Sequence, residues 1–321
     1  MVTSFFRVLA LAAVFMLGVS PPAKAQDYPT KPVRFIVPFA PGGLNDIVAR
    51  LFADHLGRRL NGSFIVENRP GAGGVVGSEA VAQSAPDGYT LLIASVAHAV
   101  NPSLHKLPYD SLNAFDPVAS FVTSPNALAV APDLPVQNLQ EFIAMAKAKP
   151  GALFYASGGV GGSLHLGFEL FKSLAGIDVV HVPFKGAGPA VINVAGNHSQ
   201  AIIATITTLV PHHRTKKLRL LAIGGEKRSQ FMPELPTFEE QGVKGYDAGN
   251  WIGLVAPVGT PREIIDKLSR EIAEVQKTPG VAEKLRGSGA EMLTMTSEEF
   301  GRYMQAELER WGKVIKQAGV K

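Results

Sequence analysis

Short runs rich in Val, Ile and Phe alternate with segments of helical period along most of this chain. That alternation is the pattern of βαβ units, and it points to an α/β fold of mostly parallel sheets flanked by helices. The runs at 33–39 (VRFIVPF), 64–67 (FIVE) and 90–95 (TLLIAS) read as strands enclosing two helices. The first helix, 44–60, puts Ile47, Val48, Leu51, Phe52 and Leu56 on one face, with Asp46 and Arg50 as an i, i+4 pair. The second, 74–84, is ended by the turn signal Pro86-Asp87-Gly88. Further strands are predicted at 128–131, 153–157, 179–183, 201–205, 218–223 and 252–256. Helices are predicted at 139–148, 163–175 and 187–195, with stop signals at Pro150-Gly151, Gly176 and Gly196. The Pro-punctuated stretch 101–135 reads as a connecting segment. After Pro257 the pattern is helical only, at 261–275, 281–285 and 297–315, so these helices must pack back on a sheet already formed. With 321 residues, the chain is long enough for two such domains at about 150 residues each.

The N-terminus sets the compartment. Arg7 precedes an apolar stretch at 8–19, then Pro21-Pro22 and Ala23-Lys24-Ala25, the layout of a secretory signal cleaved after Ala25. Twelve apolar residues rise about 18 Å as a helix, short of a hydrocarbon core of about 30 Å. The mature protein is therefore expected at 26–321, exported. The net charge of +4 includes Arg7 and Lys24, so removing the signal leaves +2, which is no nucleic-acid footprint. Without cysteine the chain has no disulfide, thiolate metal site or Cys nucleophile.

In open α/β sheets, ligands bind beyond the carboxyl ends of strands, where loops lead into helix N-termini. Three such junctions are glycine-rich: Pro41-Gly42-Gly43, Pro70-Gly71-Ala72-Gly73-Gly74 and Ser157-Gly158-Gly159-Val160-Gly161-Gly162-Ser163. Backbone N–H groups and the positive end of a helix dipole make such a turn an anion site. Each glycine alone is explained by a tight turn, but the first and third junctions as a pair, one in each domain, suggest a ligand clamped in a cleft. The candidates are Ala40, Gly42, Gly43 and Asp46 from the first junction, and Ser157, Gly161, Ser163 and His165 from the third. Ser95 ends the third strand, while Phe184 and Lys185 follow the 179–183 strand as an aromatic wall and a cation. Bland roles compete with several of these. Ser163 suits an N-cap, Asp46 compensates a helix dipole, His165 suits a structural ring, and Lys185 suits a solvated side chain.

Enzyme readings find little. G-x-S-x-G, G-x-x-x-x-G-K-[ST] and an opening G-x-G-x-x-G are all absent. Ser103-Leu104-His105-Lys106 satisfies S-x-x-K without its companion motifs, and adjacent His212-His213 make a poor zinc pair. No cofactor or metal is expected.

The segments FAPGGLNDIVAR (39–50), VENRPGAGGVVG (66–77), PDGYTLL (86–92), LPYD (107–110), HVPFKGAGPA (181–190), PELPTFEEQG (233–242) and WIGLVAPVGTP (251–261) together resemble the Bug family. These are the TctC-like periplasmic solute receptors of tripartite tricarboxylate transporters. The resemblance covers essentially the whole mature chain. It implies a two-domain periplasmic binding protein fold with two crossing strands, closing like a flytrap on a small organic carboxylate. Domain one would be 26–127 plus 251–321, and domain two 128–250. The ligand carboxylate would be held by backbone N–H groups and hydroxyls of the loops at 40–46 and 157–165. The expected partners are that ligand and the membrane permease subunits of the transporter. A monomer without catalytic activity is expected. The chain departs from its relatives at Gly162 and Leu164, which offer no hydroxyl, and at Asn197-His198-Ser199. The alternatives are a receptor feeding a sensor kinase, an exported hydrolase, and an interaction scaffold.

Overall fold

The computed structural model describes residues 28–318, apart from 161, 185, 186, 226, 230, 231, 247 and the side chain of 318. The signal segment, Gly161 and Lys185 thus lie outside the described residues.

A first unit is built from β1 (Val33–Val37), α1 (Leu44–Arg59), β2 (Phe64–Asn68), α2 (Val75–Ala82), β3 (Thr90–Ser95), α3 (Val96–Leu104) and β4 (Phe115–Ser124). Pro125 alone separates β4 from β5 (Asn126–Val130), which opens the second unit. That unit continues with α4 (Leu139–Ala148), β6 (Phe154–Ser157), α5 (Ser163–Ala175), β7 (Val180–Pro183) and α6 (Ala187–Ala195). It ends with β8 (Ala201–Thr205), α7 (Ile206–Arg214) and β9 (Arg219–Ile223). The chain then returns through β10 (Asn250–Pro257), α8 (Arg262–Lys277), α9 (Val281–Gly287), β11 (Glu291–Met292) and α10 (Ser297–Ala318).

The strand order is β11-β4-β10-β3-β1-β2 in one sheet and β7-β6-β8-β5-β9 in the other. The βα strands pair in parallel, β1 with β2 and β3, and β6 with β7 and β8. By contrast, β10 is antiparallel to β3 and β4, β11 to β4, and β5 to β8 and β9. The sheets are therefore mixed, where the sequence pattern predicts mostly parallel ones. The βα strands end at the gap between the sheets, whereas β5 and β10 enter their sheets from that gap and so run against them.

Four elements escape the sequence pattern. β11, a two-residue strand on the edge beside β4, lies in the stretch after Pro257 read as helical only and is too short to leave a periodic signal. β4 lies inside the segment read as a connection, because Pro117 marks it as a non-strand. The sheet accepts Pro117 opposite Val255, next to a register shift in the β10–β4 ladder. α3 and α7 follow their strands with no intervening turn, and each contains a proline, Pro102 and Pro211.

The alternation of β3 serves two cores. Leu91 and Ile93 face a cluster with Val48, Phe52 and Leu56 of α1 and Leu268 and Ile272 of α8. Within it the Phe52 and Phe121 rings stack at 4.1 Å. Leu92 and Ala94 join the opposite cluster with Val100 of α3 and Phe300 and Trp311 of α10. That cluster continues into the second unit through Phe142, Tyr155, Phe168 and Phe171. The C-terminal helices thus cover the first sheet as the sequence predicts, and α10 also reaches α5, where Ser173 Oγ donates to Gln317 Oε1 at 3.0 Å. Gly253 is required beneath α10, since a Cβ there would lie 2.3 Å from the Phe300 ring. Buried Glu307 accepts from the indoles of Trp251 and Trp311 at 3.0 and 3.1 Å, pinning α10 to β10. No helix among the described residues is long and apolar enough to cross a membrane.

Candidate functional site

Where βα strands end at the gap between the sheets, the helices that follow begin. Gly43 is the N-cap of α1, Ser95 of α3, Gly162 of α5 and Thr205 of α7, and none of these side chains caps its own helix. All four residues line one cavity of about 690 Å³. A helix start carries backbone N–H groups without intrahelical partners and roughly half a positive charge, so four starts on one cavity make its wall electropositive. No Lys, Arg, Asp or Glu side chain appears among the described lining residues.

Asn126 and Asn250, at the two points where the chain passes between sheets, line the same cavity. Asn126 is 2% exposed and its Nδ2 donates to Ala248 O at 2.5 Å, tying the outgoing segment to the returning one. Phe39, Gly73, Asn101 and His105 are among the residues that line the wall on the first unit's side.

The loop before α1 is held by charge. Buried Asp46 accepts from the Gly42 N–H, Arg50 Nε and Asn68 Nδ2 at 3.0, 3.0 and 2.9 Å. Asn68 Nδ2 also donates to Phe39 O at 3.1 Å, closing the turn. Burial pushes the Asp46 carboxyl up, but the hydrogen bonds from Arg50, Gly42 and Asn68 and the Arg50 charge hold it below the usual carboxylate range. Gly42 adopts φ +84°, a left-handed conformation suited to glycine.

The loop before α5 is held by neutral groups. Fully buried Ser157 is hydrogen-bonded through Oγ to His181 Nε2 at 2.6 Å and accepts from the Gly159 N–H at 3.2 Å. The His181 ring stacks on His165 at 4.0 Å and on Tyr155 at 4.9 Å. Tyr155 donates to Glu169 Oε1 at 2.6 Å, and Lys172 pairs with the same carboxylate at 2.9 Å. Burial, then the neighbouring His165, pushes His181 down to about 4. Burial likewise lowers His165.

Of the candidates drawn from the sequence, the structure brings Gly43, Ser95 and Ser163 to the cavity wall. Gly42 and Asp46 lie behind the first loop as its brace, and exposed Ala40 precedes the turn without lining the cavity. Ser157 and His165 belong to the buried stack behind the second loop. Phe184 packs with Leu164 into an apolar cluster of the second sheet, and its N–H donates to Ser157 O at 2.9 Å. His212 and His213 fall in the last turn of α7.

Sequence reasoning misses Asn126, Thr205, Asn250, Asn101 and His105. Thr205 carries a readable signal, a Thr at the carboxyl end of a predicted strand. The two crossing asparagines carry none, because their position depends on which sheet each strand joins.

Residues 48–320 match the family described as the tripartite tricarboxylate transporter family receptor. Protein BugT of Bordetella pertussis is 37% identical over 320 residues, covering 98% of each chain. An R. palustris protein solved with adipate is 34% identical with a TM-score of 0.75, covering 91% of this chain and 99% of that one. MatC from Rhodopseudomonas palustris, solved with bound malate, is 31% identical with a TM-score of 0.72, covering 90% of this chain and 100% of that one. A family match over residues 48–320, two α/β units crossed twice by the chain and a cavity between them agree in one assignment: the chain belongs to the tripartite tricarboxylate transporter receptor family, as a solute-binding receptor with the periplasmic binding protein fold.

Proposed function

We propose that the protein captures a small organic carboxylate in the cavity between its two sheets and delivers it to the permease subunits of a tripartite transporter. The observation that carries this is the convergence of four helix N-termini, none capped by its own side chain, on one cavity. Backbone donors at the α1 and α5 starts bind the carboxylate from opposite sides, and the units close on it by rotation at the crossings around Pro125 and 248–249. On this reading the domains are the two sheet units divided at those crossings, the receptor acts as a monomer, and export removes residues 1–25. Adipate and malate, named with two of the relatives, fall in the proposed ligand class. No bond is made or broken. Fully buried Ser157 and half-buried His181 form a nucleophile-like pair whose hydrogen bond braces the second loop.

Micromolar capture requires about 8 kcal/mol. The test is calorimetry on the mature protein, stripped of co-purified ligand by unfolding and refolding, against carboxylates and their neutral amides. Saturable binding of a carboxylate with loss on amidation is expected. Equal binding of acid and amide, or turnover of an ester series, would overturn the reading.

A further inference from the structure

The cavity that gathers the helix N-termini also leaves apolar side chains uncovered. Val160, at the tip of the second loop, is 65% exposed and lines the cavity. Phe39, Leu44 and Leu104, each only partly buried, line it from the other unit. On α3, Val96, Val100 and Leu104 recur every four residues and all reach the cavity. They form a stripe about 12 Å long that starts beside the Ser95 N-cap. Asn101 and His105 set polar groups at its far end. The polar lining of the second unit and the crossings, Ser163, Thr205, Asn126 and Asn250, consists of small uncharged donors and acceptors.

We infer that the ligand is an amphipathic carboxylate: its charge sits at the helix N-termini, and an apolar body lies along Val96, Val100 and Leu104 and is covered by Val160. This rests on the carboxylate-receptor reading above and narrows it. A compact tricarboxylate suits this wall poorly. Three carboxylates buried together repel one another and each loses its water, and no Lys or Arg side chain appears among the described lining residues to offset that. An apolar body instead gains from covering exposed Val160 and partly buried Phe39, Leu44 and Leu104, with the buried Val96 and Val100 as the floor beneath it.

The experiment is calorimetry on the ligand-stripped protein with 3-phenylpropionate, adipate, malate and citrate, repeated on Val160→Ser and Leu104→Ser. The apolar-bodied pair is expected to bind about ten-fold tighter than malate, with citrate weakest. Each substitution is expected to weaken 3-phenylpropionate about five-fold while leaving malate within about two-fold. Thermal unfolding confirms that both variants fold, and exposed Val160 gives the variant least able to disturb packing. Malate or citrate binding as tightly as the apolar-bodied pair overturns the inference and leaves the carboxylate reading standing, as does an unchanged 3-phenylpropionate affinity in both variants. Binding of none of the four removes both.

Discussion

Two loops face one cavity and present the same backbone chemistry, yet they are held in opposite ways. The 40–46 loop is anchored by an ionised carboxylate, Asp46, whose partner Arg50 reaches solvent. The 157–163 loop is anchored by a neutral stack, Ser157 on His181 and His181 on His165, with one ion pair, Glu169–Lys172, behind it. Similar glycine-rich turns therefore fail under different stresses. Loss of a charge partner is expected to break the first, and gain of a proton the second.

The largest expected effect is on the charged side. Asp46→Ala removes the acceptor for three donors and strands a backbone N–H, and is expected to cost about 2–4 kcal/mol in urea unfolding. A smaller loss would mean that the loop holds itself. On the neutral side, His181→Leu leaves the buried Ser157 hydroxyl without its ring partner and is expected to cost about 1–3 kcal/mol. His181→Gln, which keeps a hydrogen-bonding group, should recover part of that in the same titration.

Acid separates the two braces. The folded His181 titrates near 4, below its ordinary 6.5, so the folded state binds fewer protons than the unfolded one. Its contribution is fully present above about pH 6.5 and is lost as pH falls toward 4. Asp46, held below its ordinary 3.8, keeps its contribution through that window and loses it only under stronger acid. The melting temperature should therefore decline between pH 6.5 and 4 in the native protein and decline less in His181→Gln. Parallel pH profiles of the two would place the acid sensitivity elsewhere.

The finest contrasts concern single positions. Gly42→Ala meets open space but keeps φ +84°, and about 1 kcal/mol of destabilisation is expected from backbone strain alone. Ser163→Ala, on the cavity wall, should leave unfolding within about 0.5 kcal/mol while weakening carboxylate binding about five-fold by calorimetry. Reversal of that pair of readouts would move Ser163 from the ligand to the fold.

Much of the architecture is legible in the sequence, and the failures have a common cause. The runs at 90–95, 163–175 and 201–205 coincide with β3, α5 and β8, because buried apolar runs and Gly stops are local signals. Pro102, Pro117 and Pro211 misdirect the pattern at α3, β4 and α7, where a helix or a register shift absorbs the ring. Missing α3 and α7 hides two of the four helix starts on the cavity. Asp46 reads from sequence as a residue in the first turn of its helix, but nothing local shows that Asn68, on β2, completes its brace.

By itself the sequence determined the α/β class, the glycine turns, the family and the electropositive character of the places where helices begin. These follow from periodicity, turn chemistry and capping, which act over a few residues. Only the tertiary structure decided which helix starts meet, which polar residues stand at the crossings, and which apolar side chains stay uncovered between them. That choice is made by strand order. β10 inserts between β3 and β4 from more than a hundred residues away, and β5 takes its place between β8 and β9, so the cavity exists only once these long-range pairings are in register.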